Sequence, residues 1–461
     1  MKKITVLFLF CFTCCIVTKN NPILLLANEP NSIHWGVNIH TGGSDALNLA
    51  NKISDRNLKY VRMDYWGKSS VSLAKFIDVV KILNSENINI QAIVYSDFSA
   101  GQFRNEDYNA NLTEVEQKVY DDTKPQIESV KEWVLDFELQ NEIPLYQNMN
   151  ISGTTGQNST DYNTPAGRLQ AAVLRGMSRA IDDVRNSSGL PIRIILGTVD
   201  RRYGFLTFMQ QQGVLFDVVG YHIYPWEMNE PLDEDTWFGQ GGALGQLAKF
   251  NMPVHINEFN AGEIYSGGPN HPGTNYENRV GQPMTETGFR SIYKHLNVFV
   301  NQRVVNIESV HFYEIADEIQ KNIPENRFGL YYDTNLQSPK ISLLLATAFA
   351  GGKLTPAEND SLLKRNFTYY NTLTGLSNTA IETETHVKLF PNPVINNLTI
   401  KSEKIFNSIN IYNSCGVKLF SHKVDEFNYT TSIDLSDYPS GIYIVGLKNN
   451  ELNIFKRIIK K

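Results

Sequence analysis

Between Ile33 and about Ala350, short runs rich in β-branched and aromatic residues alternate with longer stretches whose apolar positions recur every three or four residues. The short runs are Ile33–Asn38, Tyr60–Asp64, Ile88–Tyr95, Val134–Asn141, Ile192–Gly197, Val218–Tyr224, Val254–Glu258 and Ile307–Tyr313. Between them the pattern is helical. Leu73, Phe76, Ile77, Val80 and Leu83 share one helical face, and so do Leu169, Val173, Met177, Ala180, Ile181 and Val184. Eight strand–helix units in roughly 320 residues predict an α/β fold, a (β/α)8 TIM barrel rather than an open sheet.

Connection lengths point the same way. The segments that follow strands are long and rich in Gly, Asn, Thr and Tyr: 143–164, 226–241, 260–282 and 315–338. Helix-to-strand returns such as 85–87 and 186–190 are short. In a barrel all strand-to-helix loops lie on one face, the face that carries active sites, so elaboration there predicts an enzyme with an extended cleft.

After Gly352 the pattern changes. Residues 353–387 are polar and irregular and are expected to hold the barrel's end and a linker. From Lys388 short strands follow one another at 398–401, 409–412, 433–435, 441–446 and 452–459, with turn residues between them, which predicts a small all-β sandwich-like module over 388–461. At the other end, Lys2 and Lys3 precede an apolar run from Ile4 to Val17, the pattern of an export signal. That run of about fourteen residues is too short for an ordinary membrane-spanning helix. The expected layout is a signal peptide over 1–27, a catalytic barrel over 28–352, a barrel end and linker over 353–387 and the β module over 388–461, with no stable membrane insertion.

Composition narrows the partners. The chain has 42 Lys and Arg against 48 Asp and Glu, a net charge of −6, so it offers no global positive field for a phosphate backbone and nucleic acid is not expected. Cys11, Cys14 and Cys15 lie in the leader, leaving Cys415 alone, so neither an intrachain disulfide nor a cysteine-ligated zinc is expected in the mature chain.

The chemistry concentrates at two strand ends. In Val134–Glu142, alternation puts Glu138, Gln140 and Glu142 on one side, with Glu142 at the C-terminal end where barrels place catalytic groups. Asp136 and Glu138, lower in the strand, are expected to be ion-paired inside the barrel. Pro253 opens the run that Glu258 ends three strands later. Two glutamates at the tops of strands 4 and 7 suit glycosidic cleavage, which needs one acid to protonate the departing oxygen and one carboxylate to attack the sugar or activate water. A His-Glu-x-x-His or Gly-x-Ser-x-Gly motif is absent, so zinc-peptidase and serine-esterase chemistry has no carrier, and no metal or cofactor is expected. Trp35, Trp66, Trp226 and Trp237 are candidate sugar platforms.

With both glutamates in place, the barrel resembles the clan A retaining glycoside hydrolases, among them families 5, 39, 30 and 10. The resemblance implies that Glu142 is the acid/base and Glu258 the nucleophile. It further implies that Arg62, in Tyr60-Val61-Arg62-Met63-Asp64, holds the nucleophile ionised, and that Asn141 contacts the sugar 2-hydroxyl. His222 and Tyr224, in Gly220-Tyr221-His222-Ile223-Tyr224, match a strand 6 His-x-Tyr whose tyrosine hydrogen-bonds the nucleophile. Tyr313 stands where family 5 relatives carry a tryptophan under the sugar, and takes the stacking role. A purely structural ion pair of Arg62 with Asp64 or Glu308 is the competing reading of that residue.

The tail resembles the C-terminal sorting domain of Bacteroidetes type IX secretion. Its matching residues are Leu389-Phe390-Pro391-Asn392-Pro393, Leu398-Thr399-Ile400, Ile411-Tyr412-Asn413 with Gly416, Ser440-Gly441-Ile442-Tyr443-Ile444-Val445 and the basic end Lys456, Arg457, Lys460 and Lys461. It implies passage through the periplasm to the cell surface or medium and the type IX machinery as a partner; with the glycosidase resemblance, such export suits a polysaccharide or oligosaccharide substrate too large to import. The alternative is a non-catalytic carbohydrate-binding barrel at the cell surface, although binding alone does not need both glutamates with Arg62 and Tyr224.

Overall fold

The computed structural model describes residues 33–40, 46–65, 67, 69–149, 153–224, 231–260, 286–318, 320–321, 325–367, 387–402, 406–413, 418–423, 430–448 and 453–461. The expected signal peptide, the candidate platforms Trp66 and Trp226, and Cys415 lie outside them. Eight strands, β1 (His34–Ile39), β2 (Tyr60–Tyr65), β3 (Asn89–Val94), β4 (Asp136–Leu139), β5 (Arg193–Val199), β6 (Val218–Ile223), β7 (Val254–Phe259) and β8 (Ile307–Phe312), pair in sequence order. All neighbours are parallel, and β8 pairs with β1 through Val37 opposite Phe312, closing the barrel.

Helices α1 (Ala46–Asp55), α2 (Ser70–Ser85), α3 (Leu112–Val130), α4 (Pro165–Ser188), α5 (Tyr203–Gln211), α6 (Gly242–Leu247), α7 (Glu286–Asn301), α8 (Ile341–Phe349) and α9 (Pro356–Leu363) connect or follow the strands. Local chemistry sets their ends. Thr164 caps α4 through a side-chain bond to the Gly167 N–H, Pro165 opens its first turn, and Gly189 ends it at φ +68°, a left-handed conformation that glycine adopts without a Cβ clash. The expected face of α4 is buried, including Leu169, Val173, Met177, Ala180, Ile181 and Val184.

One strand is shorter than its apolar run. β4 covers four residues because Val134 still closes the last turn after α3 and Gln140 is left-handed at φ +59°, which takes the chain out of the sheet. Trp35 is a second difference. It was expected as a sugar platform, but it lies at 4% exposure in the hydrophobic core, its ring against Phe312 and Phe349. Alternation along β1 gives the barrel interior to Gly36 and Asn38, so Trp35 packs among the helices.

The barrel interior is unusually polar. Asn38, Arg62, Gln91, Glu138, His255, Asn257 and His311 are all buried. Gly36 and Gly220 make room for them. A Cβ on Gly36 would come within 2.6 Å of the His311 ring, and one on Gly220 within 2.3 Å of the Asn257 amide.

Residues 387–461 form two antiparallel sheets, one ordered β13 (Thr430–Asp434), β10 (Asn397–Ser402), β9 (Val387–Phe390) and the other β12 (Lys418–Lys423), β11 (Ser408–Asn413), β14 (Gly441–Lys448), β15 (Asn453–Lys460). Their own core contains Leu398, Ile400, Ile411, Ile433, Val445 and Ile458. Strands β9 and β12 were not expected. Both are edge strands, and β12 exposes nearly every side chain, so it carries no apolar alternation to betray it.

Candidate active site

Arg62 organises the upper end of the barrel. It is 1% exposed, and its five N–H donors meet five acceptors. Nε and Nη2 donate to the two oxygens of Glu138 at 2.6 and 2.9 Å, Nη1 to Glu258 at 2.6 Å and Asn38 at 2.9 Å, and the second Nη2 proton to Asn141 at 2.7 Å. Neither Asp64 nor Glu308 pairs with it. One guanidinium thus serves two buried carboxylates, which is the condition under which buried charge is tolerated. Gln91 completes the layer below, donating to Glu138 and Asn257 at 2.9 Å each.

Glu258, the penultimate residue of β7, is 4% exposed. Its Oε1 accepts from Arg62, and its Oε2 accepts from the Tyr224 hydroxyl and lies 3.2 Å from His222 Nδ1. Burial is the largest single influence on this carboxyl and favours the neutral form. The His222 and Arg62 charges, with the His222 and Tyr224 hydrogen bonds, outweigh it and hold Glu258 well below the usual carboxylate range.

Glu142 reaches the same spot by another route. Simple alternation would set Glu138, Gln140 and Glu142 on one face, but Gln140 and Glu142 are both left-handed, at φ +59° and +44°. Gln140 therefore leaves the barrel to accept from Gln170 of α4 at 3.0 Å, while Glu142 comes back to within 3.0 Å of His222 Nδ1. Its side chain keeps 26% exposure. One oxygen of Glu142, one of Glu258 and one nitrogen of His222 all lie within 4.8 Å of one another.

His222 is buried between the two glutamates, and its imidazole is pushed up to about 9. Burial opposes the charge most strongly, but the Glu258 charge and the hydrogen bonds to Glu142 and Glu258 together exceed it. One nitrogen, Nδ1, thus stands within reach of both glutamates, 3.0 Å from Glu142 and 3.2 Å from Glu258. The Tyr224 hydroxyl is raised well above its ordinary value by burial and by Glu258, so it remains a donor.

Tyr313 follows β8 and stands edge-on to Tyr224, ring centroids 6.1 Å apart. Its hydroxyl accepts from Lys321 at 2.9 Å. Trp237 is 42% exposed, and the Arg201 guanidinium lies 4.2 Å from its ring centroid, so one face of that candidate platform already carries a cation. The structure thus brings Arg62, Asn141, Glu142, His222, Tyr224 and Glu258 together.

Asp136 and Glu138 are ion-paired as expected, with Arg193 and Arg62, and Glu138 shares its guanidinium with Glu258. Sequence reasoning missed one group. His40, Asp64, Glu314 and Lys321 form a charged cluster beside Tyr313 that no periodicity marks.

Residues 388–461 match the family described as secretion system C-terminal sorting domain. No curated protein matches the chain. Among solved structures, the chain is similar to the family 1 β-glucosidase from Thermotoga maritima, at 12% identity over 74% of this chain and 100% of that one, with a TM-score of 0.47. It is also similar to the Thermotoga maritima β-glucosidase in complex with cyclophellitol (13% identity, 74% and 100% covered, TM-score 0.47) and with deoxynojirimycin (13%, 72% and 100%, 0.46). The barrel itself is established by its own strand pairing.

Proposed function

We propose that this chain is a secreted retaining glycoside hydrolase of the clan A type, cleaving β-glycosidic bonds in a polysaccharide or oligosaccharide, with Glu258 as nucleophile and Glu142 as acid/base. The observation that carries the proposal is the approach of the two carboxylates to within 4.8 Å, one buried and fully paired, the other part-exposed. Retaining enzymes need carboxyl groups about 5–5.5 Å apart, whereas inverting ones need room for a water between them, about 6.5–9.5 Å.

The two environments divide the work. Glu258, kept ionised by Arg62 and His222, attacks the anomeric carbon as Glu142 delivers its proton to the departing glycosidic oxygen. Forming the ester removes the Glu258 charge; Glu142, now a carboxylate, takes a proton from water, and the hydroxide displaces Glu258 with a second inversion. Arg62 keeps Glu138 as a counterion while Glu258 is esterified, so the guanidinium is not left alone in the barrel. Asn141, its Oδ1 committed to Arg62, offers its NH2 group to the sugar 2-hydroxyl.

The domain layout enters the same proposal: a leader over 1–27, the catalytic barrel over 28–352 and a type IX sorting tail over 388–461, delivering the enzyme through the periplasm to the cell surface or medium. Deleting 388–461 should leave hydrolysis unchanged and hold the protein in the periplasm, as cell fractionation would reveal; normal surface delivery without the tail would reject its sorting role. The central test is hydrolysis of a panel of xylans, mannans, β-glucans and galactans by the wild type, Glu142→Gln and Glu258→Gln. Oligosaccharides released by the wild type alone are the expected result. Polymer binding without release would favour the carbohydrate-binding alternative.

A further inference from the structure

One layer above Arg62, toward the mouth of the barrel, lies a second set of charges that the double displacement does not use. Asp64 is two residues beyond Arg62 on β2, and His40 two beyond Asn38 past β1, so strand alternation turns both toward the same interior. His40 Nδ1 lies 3.3 Å from Asp64 and its Nε2 3.1 Å from Glu314. Lys321 lies 3.2 Å from Glu314, 2.8 Å from Glu318 and 2.9 Å from the Tyr313 hydroxyl. Tyr313 in turn abuts Tyr224, the donor to Glu258, so this shelf is continuous with the candidate catalytic pair.

What the shelf can offer a ligand follows from counting donors and acceptors. Lys321 has three N–H groups, and Glu314, Glu318 and Tyr313 take them. His40, whose imidazole the Asp64 and Glu314 hydrogen bonds raise to about 9, directs both N–H groups at carboxylates. The cations are therefore spent on protein partners. The carboxylates are not: Asp64 accepts from Tyr95 at 2.7 Å and from His40, and Glu318 pairs with Lys321, yet their side chains keep 24% and 22% exposure. An ionised carboxylate has about four acceptor sites, so lone pairs remain at the surface. Among the described residues here, three carboxylates face two cations, and Lys321 already holds its ammonium where an added cation would sit between His40, Glu314 and Glu318.

We propose that this shelf of His40, Asp64, Glu314, Glu318 and Lys321 reads the hydroxyl groups of a neutral sugar beside the scissile bond and rejects sugars carrying a carboxylate or sulfate. The proposal rests on the glycosidase reading and names its substrate class. Free acceptors bind hydroxyl donors, whereas an anionic substituent would meet acceptors of its own charge with no uncommitted cation among the described residues of the shelf to pair with.

The test uses the full chain carrying Glu142→Gln, which slows turnover, and calorimetric binding of matched oligosaccharides: gluco-, galacto- and manno-configured sets against their uronic counterparts. The neutral member of at least one pair should bind about 100-fold more tightly. Adding Asp64→Asn, which removes a charge and keeps the shape, should narrow that ratio about tenfold, whereas a merely structural role would weaken both members alike. A uronic member bound as tightly as its neutral partner, or no sugar bound at all, overturns the proposal. Wild-type protein that binds a neutral oligosaccharide selectively and never cleaves it would instead overturn the glycosidase reading and leave the shelf standing.

Discussion

Each end of the barrel holds an arginine that bridges two carboxylates, and the two differ in how much water reaches them. At the upper end Arg62 joins Glu138 to Glu258 at 1% exposure. At the lower end Arg193 joins Asp136, at 2.7 and 2.9 Å, to Glu308, and its side chain is 34% exposed. A cavity of about 500 Å³ lined by His34, Tyr60, Arg193 and Glu308 opens there. A cavity of that size is large enough to hold a small ligand. The lower network, however, commits its carboxylates to Arg193: Asp136 takes two of its N–H groups, and Glu308, held to about 2 by the His255 hydrogen bond against burial and with help from Arg193, takes another. The same ion-pair chemistry closes on itself at one end and at the other holds Glu258 within reach of Glu142 and His222, and strand direction separates the two.

The sharpest break of this comparison is chemical. Glu258→Ala should lower turnover by roughly 10⁴-fold or more with the fold intact by circular dichroism, and azide should restore part of it as a product of inverted configuration. The equivalent rescue of Glu142→Ala should give retained configuration. Wild-type rates in both variants would remove the catalytic assignment.

Stability gives the next largest contrast. Arg62→Met leaves Glu138 and Glu258 buried without their counterion and should cost about 3–5 kcal/mol in denaturant unfolding. Arg193→Met, where water screens a third of the side chain, should cost about 1 kcal/mol. Equal losses would mean that burial does not separate the two ends.

The smallest effect is a matter of pH. His222 is raised from 6.5 to about 9, so its contribution to stability is fully present below pH 6.5 and lost as pH rises through about 9. Glu258 is lowered from 4.5, so its contribution is present above pH 4.5 and lost as pH falls through its depressed value. Both are complete between pH 4.5 and 6.5. In Glu258→Gln the imidazole loses its strongest favourable charge, and its titration, followed by NMR, should move down by about one unit or more. An unmoved titration would show that Glu258 does not set it.

Much of the barrel was legible because burial on both sides of a parallel strand writes itself as a short apolar run, and burial of one helical face as a 3.6-residue period. Positions next to such runs were legible as site candidates for the same reason: Glu142 and Glu258 stand where the runs stop. The orientation of Glu142 was not legible. It depends on left-handed backbone at Gln140 and Glu142, which non-glycine residues adopt at a cost and which the apolar pattern does not record. Trp35 misled because a tryptophan's type says nothing about which face of the strand it takes.

By itself, the sequence determined the order of strands and helices, the two separate apolar patterns of barrel and tail, and the place of two candidate glutamates, Glu142 and Glu258, where the fourth and seventh apolar runs stop. Tertiary structure decided the rest: that Arg62 is shared between Glu138 and Glu258, that His222 bridges Glu142 and Glu258, and that His40, Asp64, Glu314 and Lys321 meet at one rim. The reason is physical. Periodicity follows from local geometry and burial, which act residue by residue, whereas a charge buried in a barrel finds its partner across the ring, from strands more than a hundred residues away in the case of Arg62 and Glu258.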